Sequence, residues 1–280
     1  DDRSIGLTVP PAQATEVARQ AAAFSAIPAA SCQYSSNLIA KGDMPGVLAR
    51  VRPMIGNIGS CPAVALPSSH NAGDFGSFLV GAPHQHAVTE EQLLQRTDGH
   101  MDVNEVREGA VLLVPVKVAQ AGIYVGDVHA MMGDGEVAGH TTDVSAEVIL
   151  DVKVIKNLPL DGPVLLPLTE DLPAQARPYT AAEKEQAHQL AASYGFAPDV
   201  DCYPVQVIGS GVNLNAATVN GLERMAALTG LSLAEVKNRA TITGAIEIGR
   251  LPGVVQVTML TPAAILWEKG LLALYEKQYG

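Results

Sequence analysis

The stretch Val144-Ser-Ala-Glu-Val-Ile-Leu-Asp-Val-Lys-Val-Ile155 sets the fold class of the first part of the chain. Val144, Ala146, Val148, Leu150, Val152 and Val154 fall on one side at a spacing of two. Ser145, Glu147, Asp151 and Lys153 fall on the other, and Ile149 and Ile155 break the polarity. Alternation of this kind predicts a β-strand with one buried face. Working outward, Ala110 to Val118 is a nearly continuous apolar run and Gly122 to Val128 a further strand. Val47 to Ile58 reads as a strand interrupted by Pro53. Gly and Pro separate these runs at short intervals, which predicts a β-sandwich or distorted barrel. Upstream, a helical pattern is expected at about 15–24. Residues 59–109, rich in Gly, Ser, His and Asp, read as a long functional loop with a short helix at 90–96.

Beyond the Pro-rich hinge at 163–178 the pattern changes period. Thr180-Ala-Ala-Glu183 is a capping box opening a helix that Gly195 closes, and Ser232-Leu-Ala-Glu235 repeats the device. Between them Asn215 is expected to cap a helix burying Val219, Leu222 and Ala226, with Gly230 past its end. Thr261-Pro262 reads as N-cap and first residue of a last helix. Strands at 204–208 and 254–259 flank these helices. The expectation is a β-rich α+β protein: a β-sandwich or barrel-like domain over 1–170 carrying the active segment, then an α+β domain over 171–280.

Of the 280 residues 48% are hydrophobic and 17% charged, enough apolar surface for a sizeable core. With 18 basic against 29 acidic side chains and no basic run, nucleic acid and anionic membranes are poor partners. No apolar stretch approaches the roughly 18 residues that a membrane span needs. Cys32, Cys61 and Cys202 are scattered and odd in number, which suits buried thiols in a reducing compartment and makes the cytoplasm the default. The chain opens Asp1-Asp2-Arg3, with neither Met nor a leader-like segment, so proteolytic processing of a longer precursor is expected.

His70, His84, His86, His100, His129 and His140 crowd into one region, whereas His188 lies on the polar side of a predicted helix. The densest segment is Gly126-Asp-Val-His-Ala-Met-Met-Gly-Asp-Gly-Glu-Val-Ala-Gly-His-Thr-Thr-Asp143. Asp127 and His129, two apart on a strand, share a face. The Gly133-Asp-Gly135 turn brings Asp134 and Glu136 back towards them. Bare carboxylates gathered there repel, and a cation or a shared proton relieves the cost. The mixed oxygen and nitrogen donors suit Zn²⁺ or a similar divalent ion. A structural turn with exposed acids is the other reading. An EF-hand fails because His129 and Met131 fill its third and fifth positions. The glycine spacing is not a dinucleotide fingerprint, no GxSxG elbow exists, and Asp1 is no N-terminal nucleophile. Nothing local marks Cys61 as a thiolate.

The run Gly126-Asp-Val-His-Ala-Met-Met-Gly-Asp-Gly-Glu136 resembles the GD-x-H-A-x-x-GDGE signature of the acetamidase/formamidase family. Similar family segments are Arg52-Pro-Met-Ile-Gly-Asn-Ile-Gly59, Asp98-Gly-His-Met-Asp102 in place of GGNMD, Leu113-Val-Pro-Val116, and Glu247-Ile-Gly-Arg250 before Val254-Val-Gln-Val257. The likeness runs over about 45–260. It implies hydrolysis of a short-chain or small cyclic carboxamide to the acid and ammonia, and a combination of β-sandwich and α+β parts. It also implies a homodimer or higher oligomer, and a divalent metal, zinc first and calcium second. Asp127, His129 and His100 are the implied metal ligands, and Glu136, Asp134 and Asp102 the implied catalytic carboxylates. His70 and Asn71, in the enlarged loop Ser69–Gly76, and Met132 are the implied substrate contacts. The family's N-terminal β-structure has no counterpart here, which suggests a separate N-terminal fragment of the same precursor as partner. A noncatalytic β-sandwich protein holding a divalent cation is the alternative.

Overall fold

The computed structural model describes residues 37–40, 47–60, 98–117, 119–137, 141–251 and 253–280. The expected helices at 15–24 and 90–96, together with His70, Asn71, His84, His86, His140, Cys32 and Cys61, lie outside the described residues. Cys202 is a buried free thiol. No helix among the described residues is long and apolar enough to cross a membrane.

Strands β1 (Asn37–Ala40) and β2 (Val47–Arg50) form one antiparallel ribbon. The chain breaks at 51–53, where Pro53 interrupts the ladder, and resumes as β3 (Met54–Ser60). β3 pairs antiparallel with β5 (Ile123–His129), setting Met54 opposite His129 and Ser60 opposite Ile123. The main sheet is five-stranded. It uses β4 (Val111–Leu113), β6 (Val164–Leu166), β7 (Cys202–Ser210), β8 (Ala245–Ile248) and β9 (Val254–Pro262) in the order β4-β6-β7-β9-β8, with every pairing antiparallel. The sheet therefore straddles residue 170, drawing β4 and β6 from one side and β7 to β9 from the other.

Of the helices, α1 (Ala181–Tyr194) buries only Ala191, whereas α2 (Leu214–Thr229), α3 (Leu233–Thr243), α4 (Ala263–Glu268) and α5 (Leu272–Tyr279) share one core with the sheet. Val205, Val207, Val255, Val257 and Met259 point towards that layer and meet Leu222, Met225, Leu228, Val236 and Tyr275. The interleaved residues Leu165, Ile208 and Val254 point the other way and pack on Met101, Val103 and Val106, with Ile55 and Ile58 against them. Strand periodicity thus divides one sheet between two cores, a helical one and one beneath the β3–β5 ribbon. β9 is buried on both faces, so it is mostly apolar, with Gln256, Thr258 and Thr261 as its polar members. Thr258 Oγ1 accepts from Gln206 Nε2 at 2.9 Å and Glu105 accepts from Gln256 at 2.6 Å, which satisfies Thr258 and Gln256 inside the sheet. α2 can cross close because Gly209 faces the helix backbone at Ala217 and Gly221, where any Cβ would overlap.

The mixed α+β class expected from sequence is the one observed. Several details differ. Residues 144–155 form no strand among the described residues. Val144 N donates to Val128 O at 2.9 Å, but the ladder stops there and Ile149, at 88% exposure, faces solvent. Alternation makes a segment competent to pair but cannot supply the neighbouring edge. The run expected over 110–118 is a strand only at Val111–Leu113. α2 is capped by Asn213, whose side chain accepts from Ala216 N, so Asn215 sits inside the helix. The buried face runs through Ala217, Gly221, Leu222, Met225 and Leu228, and Val219 lies off it at 53% exposure. β9 runs through to Pro262, which is itself the N-cap position of α4, so this helix starts one residue later than Thr261-Pro262 suggested. The capping box at Thr180 and Glu183, the left-handed Gly195 and Gly230, and the cap at Ser232 are all present.

Candidate functional site

Three pieces of chain lie around the β3–β5 ribbon. The turn 98–102 docks on β3: Asn57 bridges His100, Ile58 N donates to Gly99 O, and both Met101 N and Asp102 N donate to Gly56 O. On the other edge His129 bridges Asp143, and Ala130 N donates to Thr142 O. The signature turn is fixed to the β8–β9 connection by Gly135 N donating to Gly249 O and Leu251 N donating to Gly135 O. Gly56 is the floor of this assembly, since a Cβ there would collide with the carboxylate oxygens of Asp102 and Asp127. Gly59 and Gly99 leave room for the Tyr124 ring.

These pieces converge on one cluster. Asp127 Oδ2 lies 2.9 Å from His100 Nε2, and Asp127 Oδ1 lies 3.2 Å from His129 Nε2. His129 Nε2 is 3.6 Å from Asp143 Oδ1, and His100 Nε2 is 3.4 Å from Asp102 Oδ2. Arg250 enters from the β8–β9 connection, with Nε 3.1 Å from Asp102 Oδ2 and 3.7 Å from Glu136 Oε2. Its terminal NH1 contacts His100 Nε2. His100, Asp102, His129 and Glu136 are buried. Two sets of donor atoms could hold a metal ion, His100 with Asp102 and Asp127, and Asp127 with His129 and Asp143.

The electrostatics follow from crowding in a desolvated place. Burial, reinforced by the Glu136 charge, pushes the Asp102 carboxyl well above its ordinary value. Burial raises Asp143 to about 7 against the opposing pull of His129. Burial also works to raise Asp127, but hydrogen bonds with His100 and His129 outweigh it and hold this carboxyl below its usual range. Burial lowers His100. It acts the same way on His129, where the Asp127 and Asp143 charges prevail and the pKa rises.

The backbone is unusual at the same place. Asp98, Asp102, Asp127 and Glu136 all have positive φ, at 57°, 47°, 58° and 41°, among only six such non-glycine residues described. Each left-handed acid costs on the order of 1 kcal/mol or more and persists because its surroundings impose it. Asp98 shows how. Its carboxylate is gripped by Arg224 of α2 and accepts from Ser210 Oγ of β7 at 2.7 Å, tying the 98–102 turn to the main sheet.

The sequence-predicted residues are not all brought together. Asp127, His129, His100, Asp102 and Glu136 meet. Asp134 does not: it is exposed, accepts from Asn104 Nδ2 at 2.7 Å, and belongs with Glu105 and Glu247 on the other side of the turn. Met132 is half-buried, and His188 is exposed on α1. Two members of the cluster had no role assigned from sequence, Asp143 and Arg250. Asp143 joins through a pairing across a long connection, which no local period reveals. Arg250 was visible in Glu247-Ile-Gly-Arg250, where an arginine beside Gly249 at a strand end was the available signal.

Comparison with known proteins shows the family of the chain and its fold. A model of the Acetamidase/Formamidase family matches residues 1–267. The structure is similar to that of a recombinant predicted acetamidase/formamidase from Thermoanaerobacter tengcongensis, at 27% identity and a TM-score of 0.51 over 84% of this chain and 62% of that one. It is similar in fold to an acetamidase from Bacillus halodurans, at 20% identity and a TM-score of 0.51 over 87% of this chain and 61% of that one. The chain thus spans about three-fifths of the length of these two structures. No curated protein matches it significantly.

Proposed function

Because the chain belongs to the acetamidase/formamidase family, we propose that it hydrolyses a small carboxamide to carboxylate and ammonia at the cluster around Asp127. The observation that carries this reading is a set of buried polar atoms without hydrogen-bond partners, all at one place. Among the described residues they are Oδ1 of Asp102, Oε2 of Glu136, Oδ1 of Asp143 and Nδ1 of His129. Such atoms are expensive to bury unless something is bound among them.

The donor set fits a divalent cation, since carboxylate oxygens and imidazole nitrogens suit zinc, with calcium favoured only by a more oxygen-rich set. Asp127, His129 and Asp143 would hold it. When bound there, the ion supplies a Lewis acid for the amide carbonyl and for water activation. The chain's own residues do the rest. Glu136, whose buried Oε2 lies 3.7 Å from Arg250 Nε and makes no hydrogen bond among the described residues, takes the proton from the attacking water and returns it to the leaving nitrogen as the C–N bond breaks. Asp102 and Arg250 form a pair behind it and keep Arg250 Nε facing the carboxylates. His100 and His129 orient Asp127 from either side. Asp134, turned towards Asn104, takes no part in these steps.

Glu136→Gln keeps the size of this side chain and removes its basicity. Ammonia release from a panel of small linear and cyclic amides should fall about 10²- to 10⁴-fold, with the far-UV dichroism unchanged. Turnover undiminished in this variant would remove Glu136 from the role. Metal uptake with no ammonia from any amide would leave a cation-binding protein that is not an enzyme.

A further inference from the structure

The two candidate metal sets share Asp127 but differ in what already occupies them. In the first set His100 Nε2 lies between an acceptor, Asp127 Oδ2 at 2.9 Å, and a donor, Arg250 NH1 at 2.5 Å. This nitrogen either gives its proton to Asp127 or accepts one from Arg250, and in neither state does it keep a lone pair for an ion. Asp102 Oδ2, the third member, is in ion-pair contact with Arg250 Nε at 3.1 Å. A guanidinium therefore already sits where a first cation would go, and its charge does not titrate away in a protein.

The second set is different. His129 Nε2 faces only acceptors, Asp127 Oδ1 at 3.2 Å and Asp143 Oδ1 at 3.6 Å. His129 Nδ1 and Asp143 Oδ1 are buried with no hydrogen-bond partner among the described residues. Among the described residues no lysine or arginine pairs with Asp143 or Asp127 there.

We propose that Arg250 is the resident cation of the His100–Asp102–Asp127 set, and that the protein consequently takes a single divalent ion, at Asp127, His129 and Asp143. The inference rests on the reading of this cluster as a cation site. It goes further by assigning an ion count and by making Arg250 the residue that sets it.

The test is zinc stoichiometry and affinity measured on the full chain by elemental analysis after equilibrium dialysis and by titration calorimetry. Wild type and Arg250→Lys are expected to hold one zinc per chain, and Arg250→Gln two. His100→Ala should still hold one, with affinity changed less than about tenfold, whereas His129→Ala should lose it. Circular dichroism checks the fold of each variant, and the wild-type count and the two histidine variants decide the matter should Arg250→Gln not fold. Two zinc ions in wild type, one in a folded Arg250→Gln, or loss of zinc in His100→Ala would each overturn the assignment of Arg250. No zinc in wild type would overturn the cation site itself and this inference with it.

Discussion

Glu247 shows what a single carboxyl group costs when it is packed beside others. It lies near Glu105 and Asp134, and burial, aided by those two charges, raises it from an ordinary 4.5 to about 7. A folded-state value above the unfolded one means that the folded chain holds the proton more tightly. The resulting stabilisation is complete below about pH 4.5 and is lost as the pH climbs through 7, because the unfolded chain releases its proton first. A fully buried group with this shift would account for ~3 kcal/mol, and partial exposure of the side chain reduces that to roughly half. Glu247→Gln should therefore be more stable than wild type at pH 8 by ~1–2 kcal/mol and indistinguishable at pH 4. Urea denaturation at the two pH values measures it. An equal difference at both would show that packing, not ionisation, is responsible.

At the scale of elements, the helices were legible from sequence because their ends are set by local chemistry. Thr180 with Glu183, Ser232 with Glu235, Gly195 and Gly230 all act within a few residues of themselves. Where two asparagines competed, the pattern pointed to the wrong one. Asn213 has an extended backbone and its side chain accepts from Ala216 N at 2.9 Å, whereas Asn215 lies in the first turn. The two should separate cleanly on mutation. Asn213→Ala is expected to cost ~1 kcal/mol in chemical denaturation, and Asn215→Ala to be neutral or slightly stabilising, since alanine favours a helix interior. Equal losses at both would mean that the cap is not fixed as described. Strands were less legible for the converse reason. The segment 144–155 has the period of a strand, yet Ile149 and Val154 are exposed and no strand among the described residues pairs with them. The site was half legible on the same grounds. Asp127 and His129 could be paired from their spacing, but the approach of Asp143 and Arg250, and the turning away of Asp134, depend on bridges between distant segments.

For the molecule as a whole the formal charge is −11, and four carboxyl groups, three of them on positive-φ residues, meet at one buried cluster. Self-repulsion of this kind opposes the compact state, and a cation bound only by the folded chain offsets it. The ligand atoms come from both sides of a long connection, and the 98–102 turn beside them is anchored through Asp98 to Arg224 on α2. An ion at Asp127, His129 and Asp143 would thus act on the ribbon and, through Asp127 and His100, on the sheet that carries the helices. At an ion concentration about a hundred times the dissociation constant, the gain is ~2.7 kcal/mol, and for a chain of this size that corresponds to a rise in Tm of roughly 5–10 °C. The rise should vanish in His129→Ala and should not be matched by sodium chloride at equal ionic strength, because screening relieves exposed charges far more than buried ones. Scanning calorimetry with zinc, with a chelator and with salt alone distinguishes these cases. A Tm indifferent to zinc would mean that the buried acids are neutralised by protons, in which case the melting temperature should instead fall steeply as the pH is raised through 7.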